Sequence, residues 1–248
     1  LEQNLQDEVK KWAWWQTSTS PTTVVSPVIQ GRGPTFVAGI EFSPTYQTTW
    51  QAKWNLAFQA VKEINANWLF LPPTWTFTRQ NPPVLEAQPG KDPMWQDLVQ
   101  MTGWAQEKGF KLAVFPNATQ PGNNWWNGAT RDSNWWQSWF DRYEAFLVHF
   151  ADLATQAKAG MLVLGESAIT PAVTGLLADG KPSGAPADLA ERWKRIIANV
   201  RAHFKGAIYW AAAYQQGTKA LPAFIDSLDG LYVLWSAPIN VSVSAKEA

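Results

Sequence analysis

Met161-Leu-Val-Leu-Gly-Glu-Ser-Ala168 is the stretch whose reading decides the fold of this chain. Four consecutive apolar residues read as a strand buried on both faces, the pattern of a parallel sheet. The run stops at Gly165 and a carboxylate, Glu166. Upstream, Trp139-Phe-Asp-Arg-Tyr-Glu-Ala-Phe-Leu-Val-His-Phe-Ala-Asp-Leu-Ala154 carries apolar residues at helical spacing. Helix, short loop, buried strand and terminal Glu make one unit of a β/α barrel. Such strands open at their C-terminal ends into the active site, which makes Glu166 a candidate general acid.

The same alternation extends in both directions. Strands are expected at 35–42, 68–73, 111–116, 161–165, 206–212 and 231–235. Helices are expected around 54–65, 94–108, 139–157, 189–203 and 221–227, the second of them stopped by Gly109. Strands spaced by helices of this length mean βαβ units and a parallel sheet. A doubly wound nucleotide-binding sheet would need a Gly-rich phosphate loop, and neither GxGxxG nor GxxxxGK[ST] occurs. The expected fold is therefore an α/β, TIM-barrel-like (β/α)8 domain. A full barrel has eight strands, and six are legible before Ala248, so truncation after strand six is the simpler expectation. Residues 1–34 read as a charged, helical start followed by a linker rich in Thr, Ser, Pro and Gly; the barrel domain is expected over 35–248.

Composition narrows the function. The 20 basic and 20 acidic residues cancel, which argues against nucleic acid or an anionic membrane as the main partner. No run approaches the roughly 18 apolar residues of a membrane span. The absence of cysteine excludes disulfides and thiolate chemistry, and His149 and His203 both fall in helical patterns. Neither a metal site nor a cofactor is expected. Seventeen tryptophans are the anomaly. Some must fill the core. The pairs Trp125-Trp126 and Trp135-Trp136, however, sit among Asn, Gly, Asp and Ser, the composition of a loop. Indole faces on polar loops suit sugar rings, whose faces are apolar and whose edges want hydrogen bonds.

An ordered set of segments from Thr35 to Ile239 resembles the clan A glycoside hydrolases, closest to the barrel family that includes β-mannanases. Asn65-Ala-Asn-Trp-Leu-Phe-Leu-Pro-Pro-Thr74 is similar to that family's GANxVxxxPT second strand. Gly109-Phe-Lys-Leu-Ala-Val-Phe-Pro116 resembles its GxKVxLKP third strand, and residues 139–154 its WFxSYxxFIxxYAxLA helix. Leu228-Asp-Gly-Leu-Tyr-Val-Leu-Trp235 is similar to its LDxIGxxxY segment. The resemblance implies a retaining, two-carboxylate glycosidase with Glu166 as acid/base. It also implies a nucleophilic Glu at the end of strand seven, which is not in this sequence. Two further departures stand out. Gly165 and Glu166 are adjacent where the family has one residue between them, and this can turn the carboxylate to another face. Pro116 is followed by Asn117 where the family often has His.

Further candidate substrate-binding residues are Glu41, Trp75, Asn117, Trp125, Trp126, Tyr209 and Trp235. Glu41 near a strand end can bind a sugar hydroxyl or serve as a structural carboxylate. Trp75, Tyr209, Trp210 and Trp235 are candidate platforms, although adjacent Tyr209 and Trp210 cannot share a face. Asn117 can bind a ligand or cap its loop. Two readings compete with hydrolysis of a β-linked polysaccharide: a non-catalytic carbohydrate-binding barrel, and a structural component of an extracellular or cell-surface assembly. Carbohydrate is the expected partner in the first two, and other domains or chains in the third. An extracellular or cell-surface location is expected on the same footing.

Overall fold

The computed structural model describes residues 33, 35–122, 124–213 and 221–235. The expected N-terminal helix and nearly all of the linker lie outside the described residues. Those from Val37 onward belong to one compact unit.

Six parallel strands form the main sheet: β1 (Gly39–Glu41), β2 (Trp68–Leu71), β5 (Lys111–Val114), β7 (Met161–Leu164), β8 (Ala207–Ala213) and β9 (Gly230–Leu234). Their spatial order follows the chain, β1-β2-β5-β7-β8-β9, with every neighbouring pair parallel. The sheet curls into a half-barrel. Its two edge strands meet through a side-chain hydrogen bond, Tyr232 Oη donating to Glu41 Oε2 at 2.6 Å.

The period of two along each strand sorts its side chains. Trp68, Phe70, Ala113, Phe115, Met161, Val163, Tyr209, Ala211 and Tyr232 fill the concave inner face. Leu69, Leu71, Leu112, Val114, Leu162, Leu164, Ile208 and Trp210 face outward into the larger core shared with the helices. Both faces are covered, so the strands carry unbroken apolar runs.

The helices are α1 (Trp54–Glu63), α2 (Trp95–Glu107), the short α3 (Trp125–Gly128), α4 (Ser133–Gln156), the short α5 (Thr170–Thr174) and α6 (Leu189–His203). In α2 the Asp97 carboxylate accepts the Met94 backbone N–H at 2.9 Å, and Gly109 follows the end of the helix with φ at 77°. Helix α6 buries Trp193, Ile196, Ile197 and Val200, one stripe at helical spacing.

Four expectations need correction. The second and third strands stop at Leu71 and Val114, before Pro72 and Pro116, because proline has no N–H for the ladder. The first strand begins at Gly39, later than expected. The aromatic stretch Thr74–Phe77, read as a loop, belongs to strand β3 (Thr74–Arg79) of a second sheet. There β3 pairs antiparallel with β4 (Val84–Glu86) and parallel with β6 (Asn117–Thr119). Trp135 and Trp136, read as loop, are the first-turn residues of α4, which starts six residues earlier than the quoted run. The Asp132 side chain caps that helix by accepting the Trp135 N–H at 2.8 Å. No described helix is long and apolar enough to cross a membrane.

Candidate functional site

Strand β7 ends at Leu164, and Gly165 turns the chain with φ at 81°. A Cβ at Gly165 would lie 2.6 Å from the Trp210 indole, so only glycine permits both the angle and this close approach. The turn delivers Glu166 toward the second sheet and α4. One carboxylate oxygen accepts the backbone N–H of Ala118 in β6 at 2.7 Å. The carboxyl also faces the hydroxyl of Tyr143, a fully buried residue of α4. Burial holds the phenol well above its ordinary pKa, and the neighbouring Glu166 adds to the rise. Their geometry nevertheless falls short of a formed hydrogen bond, leaving the Tyr143 oxygen without a partner among the described residues.

Burial dominates the Glu166 pKa. Loss of hydration raises it to about 8, against the smaller lowering effects of the Ala118 N–H and Tyr143. The residue is only half-buried as a whole, but it is the carboxyl that is enclosed. At neutral pH it carries its proton, the state a general acid requires.

A cavity of about 370 Å³ opens beside this turn, with Gln120, Trp126, Asn127, Ser167, Thr170 and Asp179 among its walls. Trp126 is pinned there: its indole N–H donates to the Ala168 carbonyl at 2.8 Å, and Gln120 Nε2 donates to the same oxygen at 3.0 Å. Half-buried Trp126 thus presents a fixed indole at the cavity wall, next to the Glu166 segment.

The other sequence candidates distribute differently. Trp125 is not on a loop but in α3, only 4 % exposed, and packs edge-on against Trp126 at 5.0 Å. With Trp135, Trp136 and Trp139 these indoles form one packed cluster. Packing accounts for Trp125, because burying an indole removes some 150–250 Å² from water. Trp75 turns to α4, against Phe146, His149 and Phe150, and is not a platform at the inner face. Strand parity separates Tyr209, on the inner face, from Trp210, which packs on Trp193 and Phe224.

Asn117 caps its own loop, its amide donating to the Phe115 carbonyl at 2.7 Å. Glu41 is exposed at the rim of the half-barrel and is held by Tyr232 rather than by an arginine. Trp235, just past β9, is 74 % exposed. Sequence reading missed Tyr143, Gln120 and the Ala118 N–H. Only Tyr143 lay in a quoted segment, where its helical spacing marked it as core.

The sequence profile of Glycoside Hydrolase Family 113 matches residues 42–243. Among solved structures, a family 113 β-mannanase from Alicyclobacillus acidocaldarius superposes with a TM-score of 0.61 at 19% identity, over 80% of this chain and 60% of that one. A family 113 β-1,4-mannanase gives a TM-score of 0.59 at 16% identity, over 80% of this chain and 62% of that chain. A complex structure of a family 113 β-1,4-mannanase gives 0.60 with the same identity and coverage. These likenesses establish a shared fold, and the chain spans about 60% of the length of the first of these mannanases. No curated protein matches the chain.

Proposed function

This chain belongs to Glycoside Hydrolase Family 113, and on that premise we propose that it acts on a β-linked polysaccharide of the mannan type, bound along the C-terminal ends of the barrel strands. The observation that carries the reading is the junction at the end of β7. There the buried carboxyl of Glu166, with a pKa of about 8, is followed directly by Ser167, which walls a cavity together with the anchored indole of Trp126. Trp126 supplies an apolar face for a pyranose ring, and Gln120, Asn127, Ser167 and Asp179 supply hydrogen-bonding edges.

In the retaining mechanism, the protonated Glu166 would give its proton to the glycosidic oxygen as the bond to the leaving sugar breaks. It would then act as base toward water in the second step. A nucleophilic carboxylate about 5–5.5 Å away must attack the anomeric carbon. The family resemblance assigns that residue to a seventh strand. An extracellular or cell-surface setting accords with a polysaccharide ligand, and other domains or chains of a surface assembly are proposed partners.

One observation favours a second reading, a carbohydrate-binding barrel without catalysis. Glu166 follows Gly165 directly and is turned to Ala118 and Tyr143, toward the helix layer rather than the inner face. Two measurements separate the readings. Oligosaccharide titration followed by tryptophan fluorescence should give saturable quenching that Trp126→Ala abolishes in either case. Release of reducing ends from β-mannan, lost in Glu166→Gln while binding persists, supports hydrolysis. Binding without any release supports the second reading, and no response to any β-linked oligosaccharide rejects both.

A further inference from the structure

Helix α4 buries Trp, Phe, Leu and Ala side chains, and Tyr143 carries the one hydroxyl among its buried residues. A phenylalanine would fill the same space. Placing a hydroxyl in an apolar layer costs free energy unless the group is used. The ring is clamped: it stacks on Trp139 at 4.9 Å and 7°, meets Trp193 edge-on at 5.6 Å and packs on Phe146 at 5.4 Å. Packing therefore fixes the phenol oxygen, and only its hydrogen is free to turn.

That oxygen is fixed beside the carboxyl of Glu166. The carboxyl is constrained from its other sides as well. The Ala118 N–H holds Oε1 at 2.7 Å. The φ of 81° at Gly165, with the Trp210 ring against it, sets the backbone before the residue. Hydrogen bonds from Trp126 and Gln120 to the Ala168 carbonyl tie down the backbone after it. With Oε1 taken, Tyr143 is the remaining polar group that acts on the carboxyl among the described residues. Trp193 of α6 and Trp210 of β8, which border the phenol and Gly165, carry no charge.

The two partners of the carboxyl differ in chemistry. An amide N–H only donates, so Ala118 cannot receive the O–H of the protonated acid. A phenol both donates and accepts. Tyr143 can accept from the protonated carboxyl and, by turning its own hydrogen, donate to the carboxylate. Burial and the neighbouring Glu166 hold its pKa well above the ordinary value, so it retains its proton throughout. Hydrogen bonds of this kind often tighten only once substrate is bound.

We propose that Tyr143 is a positioning residue for Glu166, accepting from the carboxyl while it holds its proton and donating to the carboxylate left when that proton passes to the glycosidic oxygen. The proposal rests on the reading of Glu166 as the acid/base. Tyr143 acts through Glu166 alone and gives up no proton of its own.

The test is Tyr143→Phe, which keeps the ring and removes the hydroxyl. In the full chain the carboxyl is titrated directly, as the infrared absorption that Glu166→Gln abolishes. Its midpoint should rise by about one pH unit in Tyr143→Phe, because the carboxylate loses a donor. Release of reducing ends from β-mannan should fall about tenfold in kcat with KM unchanged. The alkaline limb of its pH profile should move up together with the titration. An unchanged midpoint, or a loss carried by KM, overturns the positioning role and leaves Glu166 as the acid. Should thermal melts show that Tyr143→Phe does not fold, the wild type decides. A carboxyl absorption at the frequency of an unbonded acid O–H overturns the proposal, and a hydrogen-bonded one supports it. If the wild type binds β-mannan but releases no reducing ends, the acid/base reading fails and the positioning role falls with it, wherever the midpoint lies.

Discussion

At Gly165 the backbone holds φ at 81° while the Trp210 ring crowds the place where a side chain would go. Gly165→Ala therefore meets two penalties at once, a left-handed backbone and a contact of 2.6 Å with a buried indole. We expect a loss of roughly 2 kcal/mol or more, read as a lower midpoint in urea. Its neighbour Glu166 links stability to pH. The folded chain binds this proton with a pKa of about 8, against an ordinary value of 4.5. Between those values the folded state holds more protons than the unfolded one, so the contribution is complete below about pH 4.5 and is lost as pH rises toward 8. Urea melts at pH 5 and pH 8.5 should show the wild type losing on the order of a few kcal/mol relative to Glu166→Gln. Parallel pH profiles for the two proteins would refute the buried titration.

Element by element, the stabilising contacts are local at helix starts and distant in the second sheet. Helix α4 starts where the Asp132 carboxylate takes up the Trp135 N–H. Asp132→Ala should cost about 1 kcal/mol in a thermal melt without altering the rest of the fold. Strand β3 depends on Asp92, a carboxylate only 1% exposed. It accepts from Thr74 Oγ1 at 2.6 Å, Thr76 Oγ1 at 3.0 Å and the Gln88 backbone N–H at 2.9 Å. Asp92→Ala removes the shared acceptor of three donors and leaves the buried Thr74 hydroxyl unpaired, while Thr76 Oγ1 keeps Thr119 Oγ1 at 2.8 Å; it should cost roughly 2–3 kcal/mol. Amide exchange in β3 and β6 should quicken before that in β5 and β7. Uniform exchange across both sheets would show that Asp92 does not hold the small sheet separately.

At the scale of the whole half-barrel, a side-chain hydrogen bond at the rim joins its edge strands. Tyr232 from β9 reaches Glu41 on β1 at 2.6 Å and packs against Phe70 of β2 and Phe115 just past β5, at 5.3 and 5.7 Å. Desolvation and the Glu41 carboxylate both push the phenol pKa upward, so the hydroxyl stays protonated and keeps donating. Tyr232→Phe removes the bond and leaves the ring. We expect a loss of about 1 kcal/mol, with amide protection falling mostly in β1 and β9. An unchanged exchange pattern would mean that the curl of the sheet, not this contact, brings the edges together.

Much of this fold was legible without coordinates, because its signals are local. An apolar run such as Met161–Leu164, the helical spacing of 139–154 and a stop at Gly109 depend only on neighbours in the chain. Their alternation leads to parallel βαβ units. Glu166 could likewise be located at a strand end by counting. What its carboxyl faces could not, since Ala118 and Tyr143 lie 48 and 23 residues away and meet it only after the sheet forms. The tryptophans show the same division. Composition marked Trp125, Trp126, Trp135 and Trp136 as exceptional, but a loop composition is shared by a short helix and a capped first turn. Only packing decided that Trp135 and Trp136 are core, that Trp125 is nearly enclosed and that Trp126 walls the cavity beside the Glu166 turn. Strand β3 pairs with a segment some forty residues downstream, so no local pattern announced the second sheet. Sequence by itself determined the periodicity, the strand and helix order and the place of the carboxylate, since these are properties of neighbouring residues. Tertiary structure alone decided facing, burial and protonation, which arise from side chains that only folding brings together.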